Sequence, residues 1–157
     1  MNQLTLDQIQ VGDELPELAI DVTPTTVVLG ALATRDWRPM HHDKDFAQER
    51  NGTRHVFINT PHNAAYFERY ITDWTGSTGR LGRIRFRMKD SVFPGDTMVF
   101  HGRVEKVQTD DTGCGWVDLA LQLSVGDKTA TECTARVAIP TEDGDNPWKR
   151  RGDQWRP

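Results

Sequence analysis

The sequence of 157 residues has only two cysteines, Cys114 and Cys133, and they do not form a CxxC pattern. Two such cysteines provide neither a disulfide framework nor a redox motif, and they favour a reducing compartment. Long apolar runs are also missing: no stretch approaches the roughly 20 residues that a membrane helix requires. The polar start MNQLTLDQIQ does not have the pattern of a signal peptide. We therefore expect a cytoplasmic protein without a membrane partner.

The sequence also lacks a strong excess of charge of either sign. Its formal net charge of −4 gives no general attraction to nucleic acid, so we expect no nucleic-acid partner. Apolar residues make up 36% and charged residues 27%, which is typical of one folded domain of this length. Because the apolar periodicity stops near residue 140, we expect a domain over residues 1–140 and a C-terminal tail over residues 141–157.

Three helices are predicted in the first half of the chain. The pair Thr23-Pro24 is a helix-start signal, and the first helix should end near RDWRP because Pro39 disfavours helical geometry before it. Asp43 can cap a second, short helix over KDFAQER. The longest helical pattern is NTPHNAAYFERYITDW, for which we expect Thr60 as the cap and proline at the first helical position.

The second half of the chain changes to the periodicity of strands. LGRIRFRMKDSVF, TMVFHGRVEKVQ, GWVDLALQLSV and KTATECTARVAI read as four successive strands, separated by PGDT, TDDTG and GD turns. LAIDVT and HVFI read as shorter strands in the first half. One long helix followed by successive antiparallel strands predicts an α+β domain in which a single sheet wraps around that helix. Such a sheet covers only one side of the helix, so we expect pairing with a second copy or a similar chain.

The segment RDWRPMHHDKDFA concentrates titratable side chains directly after an apolar run. Three interpretations are open: a solvated surface loop, a metal site, or an acid–base pair. His41, His42 and Asp43 are consecutive, so they cannot all face one ion without an unusual backbone, and no HxxxH pair accompanies them. We therefore expect no metal site.

Asp36 and His41 can meet only if the backbone turns between them. Residues five apart point about 140° away from each other on an α-helix, and they lie on opposite faces of a strand. Pro39 can supply the required turn. A carboxylate and an imidazole brought together in this way can hold one water and transfer protons near neutral pH.

The segment resembles the hydratase motif of the MaoC-like enoyl-CoA hydratases, a family with the hotdog fold. Asp36, Pro39, Met40, His41 and Ala47 fall on the family pattern. Arg38 stands where the family usually has asparagine, and arginine also replaces the usual glycine directly before the aspartate. ALATRDW, FINTP, RYITDWTG and RFRMKDSVFPGDTM are similar to one branch, the small subunits of heteromeric actinobacterial steroid side-chain enoyl-CoA hydratases.

The resemblance implies reversible addition of water to a 2-enoyl-CoA, giving a 3-hydroxyacyl-CoA, with Asp36 and His41 as the catalytic pair. It implies an acyl-CoA substrate, no cofactor, and a homodimer or a heteromer with a second hotdog subunit. Backbone N–H groups at the start of the long helix are suited to stabilise an enolate oxygen. We expect substrate contacts from Arg38, Asn59, Thr60 and His62.

Two other functions remain open from the sequence. The chain is either a hydratase itself or an acyl-CoA-binding hotdog subunit without its own chemistry, and Arg38 is the residue that favours the second interpretation. A hotdog thioesterase, which would release free CoA thiol, is the third candidate.

Overall fold

The computed structural model describes residues 4–157 and contains one five-stranded antiparallel sheet. The strands are β1 (Glu14–Asp21), β2 (Arg80–Met88), β3 (Thr97–Thr109), β4 (Gly115–Val125) and β5 (Lys128–Ile139). Their order across the sheet is β1-β3-β4-β5-β2, and every neighbouring pair is antiparallel. The first and second strands in sequence therefore form the two edges of the sheet.

Two α-helices accompany the sheet, α1 (Pro24–Ala33) and α2 (Thr60–Thr75). One face of the sheet packs against α2, where the buried Phe67 ring meets Phe100 of β3 edge-to-face at 5.2 Å. Phe67 also lies 6.4 Å from Phe86 of β2. This is the predicted α+β hotdog arrangement, and it confirms the four strands of the second half. Neither α-helix of residues 4–157 combines the length and the hydrophobicity that crossing a bilayer requires.

Three local predictions were wrong in detail. Residues 55–58, predicted as a strand, form an extended loop that is held by one ladder-like bond from the Ile58 N–H to the Val92 carbonyl. The cap of α2 is Asn59, one residue before the expected Thr60, and its Oδ1 accepts from the His62 N–H at 3.0 Å. Asp43 does accept from the Phe46 N–H as predicted, but the coil that follows widens into π-helical geometry.

The segment predicted as a C-terminal tail packs against the outer face of the sheet. The Trp155 ring lies 5.0 Å from the buried Trp116 ring of β4. The Arg80 guanidinium lies 3.5 Å from the centre of the Trp155 ring and also donates to the Pro147 carbonyl. Aromatic and cation–π contacts therefore attach the tail at the first residue of β2.

Candidate active site

The end of α1 positions Asp36 through its backbone. Arg35 adopts φ = +53°, the left-handed conformation that usually ends a helix at glycine. The Arg35 N–H donates to the Leu32 carbonyl at 3.1 Å, and the Asp36 N–H donates to the Ala31 carbonyl at 2.9 Å. These two bonds form a Schellman motif, which reverses the chain and fixes the direction in which Asp36 leaves the helix.

His41 is placed by a second turn directly afterwards. Arg38 is extended, and Pro39–His41 then form one turn of 3₁₀ helix. The imidazole is almost fully buried, and its Nε2 lies 3.7 Å from Asp36 Oδ2. The turn at Pro39 thus brings together the two side chains that neither a helix nor a strand could have joined.

The orientation and tautomer of the His41 ring follow from one hydrogen bond. Nδ1 lies 2.8 Å from the Phe57 carbonyl oxygen, which can only accept, so Nδ1 carries the proton of the neutral ring. The Phe57 ring also contacts the imidazole edge-to-face at 4.7 Å. Nε2 of the neutral ring is therefore an unprotonated acceptor directed toward Asp36.

Asp36 is held as a carboxylate. Arg38 donates from Nε to Oδ1 at 2.9 Å and from Nη2 to Oδ2 at 2.7 Å, a bidentate pair. The Arg38 side-chain hydrogen bond holds the pKa of Asp36 far below its usual value, with further lowering from Asn59 and from His41 and against the opposing effect of burial. Asp36 is therefore ionised at neutral pH and acts as an acceptor there.

Asn59 connects the carboxylate to the N-terminus of α2. Its Nδ2 donates to Asp36 Oδ2 at 3.0 Å and to Thr34 Oγ1 at 2.8 Å, while its Oδ1 caps the helix at the His62 N–H. Only 2% of Asn59 is exposed, so water cannot readily replace these bonds. One side chain thereby fixes the distance between Asp36 and the first turn of α2.

His62 and Thr60 lie on that first turn. The His62 ring stacks on Tyr66 at 4.6 Å and lies against Gly30 of α1, where an added Cβ would be only 1.8 Å from Nδ1. Nδ1 is buried and has no hydrogen-bond partner among residues 4–157, and burial lowers the pKa of His62. Thr60 Oγ1 lies 3.5 Å from Met88 Sδ, which places the end of β2 beside this turn.

Two other titratable side chains of the loop, His42 and Asp43, do not contact Asp36 or His41 but have partners elsewhere. His42 is exposed, with Nε2 3.3 Å from the Trp37 carbonyl oxygen, and Asp43 accepts from the Phe46 N–H. No group of three histidine, cysteine, aspartate or glutamate side chains in the described part of the chain is arranged to hold a metal ion. Neither His42 nor Asp43 therefore joins the Asp36–His41 pair.

A groove of about 670 Å³ lies away from this pair, on the sheet face that points away from α2. Its lining includes Arg85, His101, Arg103 and Gln122. It is thus separated by the sheet from the Asp36–His41 pair.

Sequence reasoning missed two residues that shape the site, Thr34 and Phe57. Phe57 acts through its carbonyl oxygen, which every residue type has, so no side-chain pattern could have indicated it. The sequence around Thr34 indicates only that a helix ends there. It does not indicate that the Thr34 hydroxyl accepts a hydrogen bond from Asn59 Nδ2.

Fold and site together define a hotdog protein with an Asp–His pair, its imidazole buried and its carboxylate partly accessible, beside the N-terminus of its central helix. Residues 9–120 match the MaoC-like domain family, and the chain belongs to that family. It is 38% identical over 97 residues, 62% of this chain and 74% of the relative, to the 3-oxo-4,17-pregnadiene-20-carboxyl-CoA hydratase beta subunit of Mycobacterium tuberculosis.

Solved structures show the same fold. The ChsH1-ChsH2 complex of M. tuberculosis matches with a TM-score of 0.77 and 29% identity, covering 83% of this chain and 98% of that one. The R-hydratase PhaJ1 of Pseudomonas aeruginosa matches with a TM-score of 0.77, covering 89% of this chain and 88% of that one. Since PhaJ1 is only 17% identical, its likeness supports the fold alone.

Proposed function

We propose that the chain catalyses reversible addition of water to a 2-enoyl-CoA thioester, giving a 3-hydroxyacyl-CoA, and that it needs no cofactor besides the CoA of its substrate. The observation that supports this function is the 3.7 Å separation of Asp36 Oδ2 and His41 Nε2, two acceptors with no proton between them. Two acceptors that each bind the same water at about 2.8 Å lie about 4.5 Å apart. At a separation of 3.7 Å, a water about 2.8 Å from each atom lies about 2 Å to the side of the line between them, and there it can donate to both.

The two groups would divide the work according to their charge state. Asp36, kept ionised by Arg38, accepts a hydrogen bond from one O–H of the water and thereby orients the water. His41 Nε2 removes the other proton as the water oxygen forms its bond to C3. The electron pair of the double bond moves onto the thioester oxygen as an enolate. The protonated His41 then returns the proton to C2, so atoms and charges balance.

Thr60 is the best candidate for donating a hydrogen bond to the enolate oxygen. Pro61 has no N–H, the His62 N–H is used by Asn59 Oδ1, and the Asn63 N–H is used by the Asn59 carbonyl. The Thr60 N–H remains, at the positive end of α2. One such donor typically stabilises the transition state by about 3 kcal/mol.

The other expected substrate contacts take different roles in this proposal. Arg38 and Asn59 both donate to Asp36, so we assign them to positioning the carboxylate. His62 keeps an unpartnered Nδ1 beside Thr60 and is the remaining polar side chain suited to a substrate contact.

The relatives support a substrate class and an assembly. The M. tuberculosis relative is named as the beta subunit of a hydratase that acts on a steroid-derived CoA thioester, and the matched structure is the ChsH1-ChsH2 complex. We propose a steroid side-chain enoyl-CoA as substrate, and a second hotdog subunit as partner.

Hydration of a panel of enoyl-CoA thioesters, short-chain and steroid-derived, tests the function through the loss of enoyl absorbance. The chain is assayed alone and with candidate partner subunits. His41→Ala and Asp36→Asn should each lower kcat by about 10²- to 10⁴-fold. The matched control is His42→Ala, which removes the adjacent exposed imidazole and should leave the rate within about twofold.

Two results would contradict the proposal. Unchanged hydration in Asp36→Asn would assign the chemistry to the partner subunit. Release of free CoA thiol without loss of the double bond would indicate a thioesterase instead.

A further inference from the structure

The Phe57 carbonyl that orients the His41 ring belongs to a loop outside the sheet. Residues 55–58, which we call the Phe57 loop, are extended. In the described part of the chain only the Ile58 N–H of this loop makes a bond like those of a sheet, to the Val92 carbonyl at 3.0 Å. Backbone outside a helix or a ladder opens locally at a lower free-energy cost than backbone within one. The position of this carbonyl therefore depends on side-chain contacts to the loop.

The half-buried Phe93 ring supplies such a contact. It meets the Phe57 ring edge-to-face at 5.9 Å, and the Phe57 ring in turn meets the His41 imidazole edge-to-face at 4.7 Å. The Arg54 guanidinium lies 4.4 Å from the centre of the Phe93 ring. Aromatic pairs and cation–π contacts at these distances are attractive. Four side chains therefore pack in series from the exposed guanidinium to the buried imidazole.

Asp96 holds both Phe93 and Arg54 in place. One carboxylate oxygen accepts from the Phe93 N–H at 2.8 Å, and the other pairs with Arg54 Nη2 at 2.5 Å. Only 14% of the Asp96 side chain is exposed, so solvent screens this ion pair less than it screens a fully exposed one. Since Arg54 directly precedes the Phe57 loop, residues 92–96 hold the loop at its start as well as at its end. We call Phe93, Arg54 and Asp96 the brace.

We propose that Phe93 is a positioning residue for hydration. Held by the rest of the brace, its ring keeps the Phe57 carbonyl where it binds the proton on His41 Nδ1, and Nε2 is thereby left free to accept from water. An imidazole protonated on Nε2 would donate toward the water and could not act as the base. The effect on the reaction rate rests on the proposed function, whereas the effect on the tautomer does not.

The tautomer of His41 is measured without substrate. Long-range ¹H–¹⁵N correlation spectra of the ¹⁵N-labelled chain, recorded near pH 8.5 where histidines are neutral, report which ring nitrogen carries the proton, and His41→Ala identifies the signals of this ring. In the unaltered chain the Nδ1–H tautomer should predominate. Phe93→Ala should raise the Nε2–H population of His41 at least about threefold, because the carbonyl that selects the tautomer is no longer held in place.

The hydration assay measures the effect of the same variant on the reaction. Phe93→Ala should lower kcat by about ten- to a hundredfold, because a small misplacement of the base is costly, and it should leave KM within about twofold. Phe93→Tyr keeps an aromatic ring at this position. It should therefore restore kcat to within about twofold of the unaltered chain and return His41 to the Nδ1–H tautomer.

Trp155→Ala is the matched control. Like Phe93, Trp155 is a half-buried ring covered by a guanidinium, that of Arg80 at 3.5 Å, but it lies on the outer face of the sheet. Its removal should lower the free energy of unfolding and leave both the His41 tautomer and kcat unchanged. If Phe93→Ala does not fold, as judged by circular dichroism, Arg54→Met removes only the exposed guanidinium and should give the same two changes more weakly.

The inference is overturned if folded Phe93→Ala keeps the tautomer of the unaltered chain, or if Trp155→Ala changes the His41 tautomer equally. An unchanged kcat in Phe93→Ala would likewise overturn it. Should the unaltered chain hydrate none of the thioesters, the proposed function fails, and the spectra alone then decide whether the brace selects the His41 tautomer. Should hydration be observed and the tautomer stay fixed, the proposed function stands and the role of Phe93 does not.

Discussion

Replacing Asn59 tests whether one side chain holds the candidate site together. Asn59→Ala removes the cap of α2, the bond to the ionised Asp36 and the bond to Thr34. A lost helix cap costs about 1 kcal/mol, a hydrogen bond to a charged group about 1.5 to 3, and a neutral one about 1. Because Asn59 is buried, we expect the free energy of unfolding to fall by about 3 to 5 kcal/mol.

Urea denaturation followed by circular dichroism measures this loss, and Thr23→Ala is the matched control. Thr23 caps α1 by accepting from the Thr26 N–H at 3.1 Å, and it is exposed. Its replacement should lower the free energy of unfolding by only about 1 kcal/mol, the loss of a cap alone. Equal losses for Thr23→Ala and Asn59→Ala, within about 0.5 kcal/mol, would refute the reasoning that the bonds to Asp36 and Thr34 support the fold.

Two further predictions concern the turn that carries Asp36. Replacing Arg38 by asparagine should raise the pKa of Asp36. A carboxyl group with a depressed pKa contributes stability above about pH 4, and this stability is lost on acidification. Urea denaturation should therefore show Arg38→Asn to be less stable than the unaltered protein at pH 6, and the difference in the free energy of unfolding should narrow toward pH 2. The control Arg69→Asn removes an exposed ion pair on a helix, and its difference in free energy of unfolding should not narrow in this way. A pH-independent difference for Arg38→Asn would show that Arg38 does not lower the pKa of Asp36. Arg35→Gly should raise the free energy of unfolding by about 0.5 to 1 kcal/mol, since the φ of +53° at residue 35 is unfavourable for arginine. The control Arg50→Gly, at the end of a helical segment, should lower the free energy of unfolding. If urea denaturation shows Arg35→Gly to be less stable, the backbone at residue 35 is not strained.

The periodicity of the sequence predicted most of the fold because burial repeats along it. Along β2 exposed and half-buried residues alternate from Arg83 to Met88, and α2 buries Phe67 and Ile71 one turn apart. Periodicity gives a wrong prediction where an apolar segment is buried without the backbone hydrogen bonds of a sheet. Residues 55–58 have the apolar pattern of a strand, yet the Phe57 carbonyl accepts from His41 and only the Ile58 N–H makes a bond like that of a strand.

The sequence placed the cap of α2 one residue too late for a related reason. Asn59 and Thr60 are both favourable caps, and proline is accepted at the first or the second position that follows. The choice is made by tertiary contacts. Asn59 has two further acceptors, Asp36 and Thr34, which no local pattern contains. Local propensity therefore predicts that a helix begins here, but not which side chain begins it.

The departure of Arg38 from the family pattern does not by itself indicate a silent site. The sequence analysis predicted that Arg38 contacts the substrate, but it could not give the direction of this side chain, because that direction depends on the turn between Asp36 and Arg38. In the structure both Asp36 oxygens accept from its guanidinium. In the proposed mechanism, an acceptor that stays ionised near neutral pH is suited to orienting a water, and it leaves proton transfer to the His41 imidazole. Arg38 thus fits the proposed mechanism, in which Asp36 orients the water and His41 transfers the proton. A basic residue at this position is compatible with hydration as long as His41 retains its bond to the Phe57 carbonyl.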